Sequence, residues 1–214
     1  MQMQILKLLI LSFFLVLQNL VIAQEPDVDF DLDTKVKIFL SQRQNKWRDM
    51  NIPARDGQVL YDLIIQNNYT RALEIGTSTG HSAIWIVWAM SKTGGKLITI
   101  EINESRYREA IDNFKQAGLE SFIDARLANA HELVPQLEGP FDFIFLDADK
   151  EWYVQYVEWL LPKLSPVGCI SAHNVLNSYM NGIPEFLEYL NKKEELETSI
   201  INSSSSGISV SYVR

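Results

Sequence analysis

The sequence predicts one α/β domain of the Rossmann-like type, with a mostly parallel seven-stranded sheet, helices on both faces and an antiparallel C-terminal hairpin. Short apolar runs alternate with helix-length segments from residue 71 onward, which is typical of a parallel sheet covered by helices. The run 141–146 is continuously apolar except for Asp142, as expected for a central parallel strand. Two final apolar runs flank a serine-glycine turn, which predicts a hairpin.

The expected elements follow the chain in order. Asp33 or Thr34 can cap a first helix that extends to about Met50. A second helix over 54–67 follows the break at 51–53 and carries apolar residues on one face. Strands are then expected at 71–75, 96–102, 122–127, 141–146, 167–172, 197–202 and 208–212. Further helices are expected at 82–90, 104–117, 131–137, 151–161 and 184–193.

Composition limits the classes of function. The chain has 214 residues and a formal net charge of −8, which argues against a nucleic-acid-binding surface. Its single cysteine, Cys169, allows no internal disulfide and lies in an apolar stretch, so we expect a buried small residue.

Residues 1–23 are expected to lie outside the folded domain. Lys7 is their only charge, the run Leu8–Leu17 is almost entirely apolar, and Val21 and Ala23 occupy the −3 and −1 positions before Gln24. This pattern predicts a secretory signal peptide cleaved after Ala23, with a retained membrane anchor as the alternative. Residues 24–32 are expected to form an acidic linker, and 33–214 are expected to form the domain.

The stretch 72–83 predicts a ligand site. An apolar strand breaks at Gly76, passes through a polar turn and resumes after Gly80 as a helix. Glycine allows a close approach of the backbone to a ligand, and the first helical turn offers free N–H groups. Glu101 ends the next strand, 25 residues after Gly76, where an acidic residue accepts hydrogen bonds from ribose hydroxyls.

The spacing of the glycines indicates which ligand is bound. A nicotinamide site has three glycines in six residues, whereas only Gly76 and Gly80 are present here, preceded by Glu74. This motif suits a phosphate-free ligand with a positive ammonium group, such as S-adenosylmethionine. Other polar residues also lie at or just beyond expected strand ends, where ligands bind in such sheets: Asp147, Asp149, His173 and Asn174.

The sequence resembles the cation-dependent O-methyltransferases, the family of catechol and caffeoyl-CoA O-methyltransferases, over about residues 33–214. The resemblance rests on six separated stretches in a consistent order: 50–52 with 57–58, 74–82, 99–101, 132–137, 145–150 and 173–174. It implies a methyltransferase fold and a homodimer, the latter formed through the N-terminal helices.

The resemblance also implies roles for individual residues toward S-adenosylmethionine. Glu101 would hold the ribose. Asn51 and Ile52 would close over the cofactor, and Ala130 and His131 would meet the adenine. The remaining cofactor-binding residues implied are Glu74, Gly76, Thr77, Ser82 and Asp147.

The implied catalytic centre contains a metal and a base. Asp147, His173 and Asn174 match the metal site of the family, and oxygen ligands suit Mg²⁺. Such a cation would bind two adjacent acceptor oxygens and lower the pKa of the one to be methylated. Lys150 matches the general base. The family usually has aspartate where this chain has His173. As a ligand, this histidine would shift the preference toward Mn²⁺, Fe²⁺, Co²⁺ or Zn²⁺; the alternative is that it lies beside a weaker metal site or none.

The expected activity is methyl transfer to a hydroxyl of a small, catechol-like aromatic acceptor. Trp152, Tyr153 and Tyr179 are candidate walls for a planar acceptor, and 177–183 is expected to shape its pocket. An exported protein of this fold that binds a ligand without turnover is the alternative, and a nucleotide-dependent oxidoreductase is disfavoured by the missing glycine. The leader predicts export or membrane association through residues 1–23, although the cofactor is cytoplasmic and cytoplasmic exposure of the domain stays open.

Overall fold

The computed structural model describes residues 31–47 and 50–214. The predicted leader and most of the acidic linker lie outside these residues. Leu32–Arg214 form one compact unit. Within the described ranges, no helix has both the length and the apolar character needed to cross a membrane.

The elements alternate as predicted from residue 71 onward. The strands are β1 (Arg71–Ile75), β2 (Lys96–Glu101), β3 (Ile123–Leu127), β4 (Phe141–Leu146), β5 (Leu164–His173), β6 (Leu196–Ile201) and β7 (Ile208–Val213). The helices are α1 (Leu32–Gln42), α2 (Ala54–Asn67), α3 (His81–Thr93), α4 (Glu104–Ala117), α5 (Ala130–Leu133), α6 (Tyr153–Leu160) and α7 (Ile183–Lys192). Short 3₁₀ turns flank several of them, including Lys150–Trp152.

The sheet order is β3-β2-β1-β4-β5-β7-β6. The first five strands pair in parallel, whereas β7 pairs antiparallel with both β5 and β6. This architecture confirms the predicted seven-stranded, mostly parallel sheet with its antiparallel hairpin. The β1–β4 neighbourhood joins strands that are not consecutive in the chain, and the cavity described below opens at the carboxyl ends of these strands.

Alternate residues of each central strand point to opposite faces of the sheet. On β4, Phe143 and Phe145 belong to the apolar core on one face, with residues of α1–α4. Ile144 and Leu146 belong to the core on the other face, with residues of α6 and α7. The helices therefore cover both faces, as predicted.

Three local predictions differ from the structure. The helix expected at 131–137 is only Ala130–Leu133, followed by the 3₁₀ turn Val134–Gln136. Helix α1 ends at Gln42 instead of about Met50, and Asn45 in the following turn has a φ of 63°. Its short polar side chain tolerates this left-handed conformation, which stops the helix. Strand β5 is longer than expected and includes His173. Cys169 is fully buried, as expected, and burial raises the pKa of its thiol to about 12.

Candidate functional site

A cavity of about 710 Å³ lies at the carboxyl ends of β1, β2, β4 and β5. It is the position where ligands bind in open α/β sheets. Most of the residues singled out in the sequence line it: Asn51, Gly76, Glu101, Ala130, His131, Asp147, Lys150, His173 and Asn174.

The glycine turn after β1 requires a residue without a side chain. Gly76 has a φ of +100°, and a Cβ atom there would lie 2.6 Å from the backbone oxygen of Asp147. Its N–H, like that of Thr77, donates to the carbonyl of Ile100 on β2. The turn is thus packed between the ends of β2 and β4, where only glycine fits.

Glu101 ends β2 and is 6% exposed. Its carboxylate accepts hydrogen bonds from the backbone N–H groups of Ser78, at 2.7 Å, and Asn103, at 2.8 Å. The glycine turn and the start of α4 therefore hold the carboxylate at the rim. An ionised carboxylate has about four acceptor sites, so capacity remains for ligand hydroxyls.

Four predicted ligand residues lie behind the cavity wall. Thr77, Ser82, Glu74 and Ile52 are 2%, 5%, 0% and 3% exposed, and none of them lines the cavity. The hydroxyl of Thr77 contacts that of Thr99 at 2.5 Å, and Thr99 donates to Glu74 Oε2 at 2.5 Å. While Glu74 Oε2 accepts the one proton of Thr99, Thr77 donates to Thr99.

Glu74 is the one carboxyl among these residues, and it is fully buried. Burial raises its pKa to about 7, against the opposing effect of the hydroxyls of Ser82 and Thr99. Of its two oxygens, Oε2 accepts a hydrogen bond from Thr99, whereas Oε1 has no hydrogen-bond partner among the described residues. A protonated Glu74 at neutral pH would relieve the desolvation of this oxygen.

Asn51 and Ile52 are fixed by the start of α3. Asn51 Nδ2 donates to Thr79 Oγ1 at 2.7 Å, and Asn51 Oδ1 accepts from the His81 N–H at 3.3 Å. The indole N–H of Trp85 can only donate, so His81 Nε2 accepts it at 3.0 Å. The proton of His81 then lies on Nδ1 and is donated to the carbonyl of Ile52 at 2.9 Å. Burial lowers the pKa of His81 to about 4, which keeps this ring neutral.

Ala130 and His131 form another wall of the cavity at the start of the short helix α5. Asn129 caps this helix by accepting from the His131 N–H at 3.0 Å. The His131 ring stacks on Trp152 with centroids 3.7 Å apart, and its Nε2 lies 3.5 Å from Asp149. His131 is therefore a rim residue held by an aromatic ring and a carboxylate.

Asp147 and Lys150 are paired directly. Lys150 Nζ donates to Asp147 Oδ1 at 2.8 Å, with the two side chains 14% and 9% exposed. The pair lies where β4 ends and the Lys150–Trp152 turn begins, because three residues separate the two side chains across a tight bend. This places a cation and an anion together at the cavity wall.

His173 extends this pair into a cluster of four ionisable groups. Its Nδ1 lies 3.4 Å from Asp147 Oδ2, and its Nε2 lies 2.8 Å from Asp56 Oδ2. Burial opposes the charge on His173, but Asp147 and Asp56 outweigh it and raise its pKa to about 9. We call Asp56, Asp147, Lys150 and His173 the ion-pair cluster.

The residues predicted to bind a metal do not fit a metal site. Both ring nitrogens of His173 already face carboxylate oxygens, whereas a histidine ligand must be neutral with a free lone pair. Asn174 lines the cavity beside it. Among residues 31–47 and 50–214, no group of three or more His, Cys, Asp or Glu side chains is arranged to hold a metal ion. The carboxylate partners of His173 therefore weigh against its predicted role as a metal ligand.

Sequence analysis missed Asp56 and its serine partners. Asp56 is fully buried in the first turn of α2 and accepts from Ser203 Oγ at 2.5 Å and Ser204 Oγ at 2.6 Å. The serines come from the β6–β7 turn, whose composition indicated only a hairpin. An acidic residue opening a helix is ordinary, so no local signal linked it to His173, 117 residues away.

The candidate acceptor walls also differ. Tyr153 is buried and donates to the carbonyl of Leu146 at 2.9 Å, and Tyr179 is 96% exposed. Neither these two nor Trp152 lines the cavity, whereas Tyr156 and Met180 do. Trp152 instead supports His131 from behind.

Comparison with known proteins gives a consistent family. Residues 32–183 match the family model described as O-methyltransferase. A catechol O-methyltransferase of Niastella koreensis is 42% identical over 108 residues, covering 49% of this chain and 48% of the relative. Caffeoyl-CoA O-methyltransferase 1 of Eucalyptus globulus is 33% identical over 138 residues, covering 62% and 56%. The chain thus spans about half the length of the curated relatives it matches.

Solved structures share the fold over most of the chain. An O-methyltransferase from Bacillus cereus in complex with SAH superposes with a TM-score of 0.73 at 26% identity, covering 88% of this chain and 94% of that one. The O-methyltransferase TomG from Streptomyces achromogenes, in complex with SAM, gives a TM-score of 0.71 at 25% identity, covering 90% and 94%.

Proposed function

The chain belongs to the O-methyltransferase family, and from this premise we propose that it transfers a methyl group from S-adenosylmethionine to a hydroxyl of a small aromatic acceptor of the catechol type. The observation that carries the proposal is that Glu101, Asp147 and Lys150 all line the same cavity. Relatives named catechol and caffeoyl-CoA O-methyltransferases support the acceptor class.

The chemistry of the cavity fits S-adenosylmethionine. A volume of about 710 Å³ suits a nucleoside-sized ligand together with a small acceptor. Glu101, held at the rim by two backbone N–H groups, would accept the ribose hydroxyls. Ala130 and His131 would flank the adenine, while Asn51 would cover the ligand from the loop that His81 anchors.

The buried residues next to the glycine turn would act through others. Thr77 and Ser82 would position the turn and Glu74 instead of contacting the ligand. When bound, S-adenosylmethionine supplies an electrophilic methyl group on a positively charged sulfur.

Lys150 would handle the proton of the acceptor. Lys150 lines the cavity, and in the amine form its Nζ would take the hydroxyl proton as the acceptor oxygen bonds to the methyl carbon. The carbon–sulfur bond of the bound cofactor would break, with its electron pair going to sulfur. The ammonium that forms on Lys150 is stabilised by Asp147 Oδ1, its partner at 2.8 Å. The proposed steps use no metal ion, and the predicted metal ligand His173 has carboxylates at both ring nitrogens.

A binding and turnover experiment tests the proposal. We expect the full chain to bind S-adenosylmethionine in calorimetry and to produce a methylated catechol that mass spectrometry detects. Glu101→Gln should weaken cofactor binding by about tenfold or more because it removes a charged acceptor. Glu104→Gln is the matched control, since Glu104 is exposed and pairs with Arg108 on the outside of α4.

The possible outcomes separate the enzyme from a ligand-binding protein. Binding without turnover of any hydroxylated aromatic would favour a protein that binds the ligand without catalysis. No binding of S-adenosylmethionine would refute the proposal altogether.

We also propose that residues 1–23 direct the chain to or across a membrane. The apolar run and the small residues before Gln24 support this. A reporter fused to the C-terminus, active on only one side of the membrane, tests it. A cytoplasmic reporter signal would contradict export.

A further inference from the structure

His173 lies between two carboxylates that use both of its ring nitrogens. Asp56 Oδ2 is 2.8 Å from Nε2, and Asp147 Oδ2 is 3.4 Å from Nδ1. Nε2 is hydrogen-bonded to Asp56, and Nδ1 faces Asp147 at ion-pair distance. Because an ionised carboxylate only accepts hydrogen bonds, two anionic oxygens facing the two ring nitrogens favour a proton on each nitrogen, which makes the ring an imidazolium cation.

Asp56 is built to remain ionised. It is fully buried, yet Ser203 Oγ donates to its Oδ1 and Ser204 Oγ to its Oδ2, in addition to the contact with His173. Hydrogen bonds to the charged form of a carboxylate favour that form. Although burial opposes them, these donors and His173 lower the pKa of Asp56. The anion next to His173 is thus secured independently of the cavity.

An imidazolium has no lone pair to offer a metal ion. Its positive charge also repels a metal ion at this position. In addition, Lys150 Nζ already occupies Asp147 Oδ1. His173 itself lines the cavity while remaining 4% exposed. Lys150 and His173 therefore already pair with the Asp147 oxygens that a divalent ion would bind.

We propose that the His173 imidazolium, held by Asp56, is a built-in cation that replaces a divalent metal ion, so that methyl transfer by this chain needs no metal. His173 is a positioning residue here: it balances Asp147, and Asp147 holds Lys150 against the acceptor hydroxyl. The proposal rests on the proposed function for its catalytic part only.

The inference also narrows the acceptor. A metal ion selects acceptors with two adjacent oxygens because it binds both. Lys150 alone contacts one hydroxyl, so a second oxygen is not required. We therefore expect a phenol with one hydroxyl to be methylated with a kcat/KM within about tenfold of the matching catechol, whereas a site built to bind both oxygens rejects the phenol by about 10⁴-fold.

Metal binding is tested without turnover, by titrating the full chain with Mn²⁺ and following the free ion by electron paramagnetic resonance. We expect no saturable site in the wild-type chain. His173→Asp should create one, because carboxylate and amide oxygens then converge as hard ligands. His173→Asn is the matched control, of similar size and without the charge, and should create none.

Nitrogen NMR of the chain with ¹⁵N-labelled histidine measures the protonation state of the His173 ring. We expect both ring nitrogens to be protonated at neutral pH in the wild type. Asp56→Asn should return the ring to a largely neutral form, while Asp62→Asn, an exposed change on the same helix, should not. This arm remains informative if His173→Asp does not fold.

Three results would overturn the inference. One is a saturable Mn²⁺ site in the wild type that Asp147→Asn removes. Another is a neutral His173 ring in the wild type, and the third is a folded His173→Asp variant that gains no site. Turnover that survives a chelator supports it. If no acceptor is methylated at all, the proposed function fails, whereas the metal and NMR measurements still decide whether His173 is the built-in cation.

Discussion

The glycine-turn side of the cavity and the ion-pair cluster are assembled in different ways. On the first side, Gly76, Ser78 and Glu101 are held mainly by hydrogen bonds of backbone N–H groups, and the Ser78–Glu101 bond spans 23 residues. In the cluster, side chains meet across 117 residues between Asp56 and His173. The backbone side depends on conformation, and the cluster depends on charge balance. Mutations should separate the two.

The largest effect is expected in the cluster, at Lys150. Lys150→Met removes the group that takes the acceptor proton and should reduce kcat by about 10²–10⁴-fold. The affinity for S-adenosylmethionine should change little, because the glycine-turn side is untouched. Single-turnover kinetics with calorimetry measures both, and Lys192→Met, an exposed lysine paired with Glu188, is the control. A loss of cofactor affinity as large as the loss of kcat would contradict the separation of the two sides.

On the glycine-turn side, we expect substitutions to act by straining the backbone. Gly76→Ala places a Cβ against the Asp147 carbonyl at φ +100°, and should cost about 2–5 kcal/mol of unfolding free energy together with cofactor affinity. Gly94→Ala is the matched control, because φ is +76° there and nothing lies within 4 Å of the added Cβ. It should cost only about 1–2 kcal/mol. Urea unfolding measures both, and equal losses would show that the close contact carries no energy.

The same division explains what the sequence could predict. The alternation of apolar runs predicts the sheet, because each strand and helix must bury its own face. Gly76, Glu101, Asp147 and Lys150 are also accessible to sequence reasoning, since strand ends and adjacent turns are local features. The partnership of Asp56 with His173 and Ser203 is not, because it depends on how α2 and the β6–β7 turn pack on β5. The orientation of Thr77 away from the cavity likewise follows from burial against Thr99.

Two buried histidines give the sides opposite pH dependence. His81 supports the glycine-turn side, and burial lowers its pKa to about 4, so its stabilising effect is present above pH 6.5 and is lost as the pH falls through 4. The pKa of His173 is raised to about 9 by Asp147 and Asp56 against burial, so its effect is present below pH 6.5 and is lost as the pH rises through 9. Each shift is equivalent to about 3 kcal/mol.

Difference curves of unfolding free energy against pH separate these effects. Wild type minus His81→Gln should fall on the acid side, and wild type minus His173→Gln should fall on the alkaline side. Subtraction removes the contribution of Glu74, whose pKa of about 7 weakens the wild type and both variants alike between pH 4.5 and 7. The His173 curve should also fall at acid pH, where protonation of Asp56 removes its partner. A His173 curve that does not fall on the alkaline side would mean that its carboxylate partners do not hold the charge.

The smallest effect should arise at Thr77, which is adjacent to Gly76 yet turned into the protein. Thr77→Val keeps the shape and removes the donor to Thr99, so we expect a loss of about 1 kcal/mol in urea unfolding. The Kd for S-adenosylmethionine should stay within about threefold of wild type, because the hydroxyl does not line the cavity. Thr99→Val should cost more, since it also removes the donor to the buried Glu74. A loss of cofactor affinity without a loss of stability would instead place the Thr77 hydroxyl on the ligand, as the sequence first suggested.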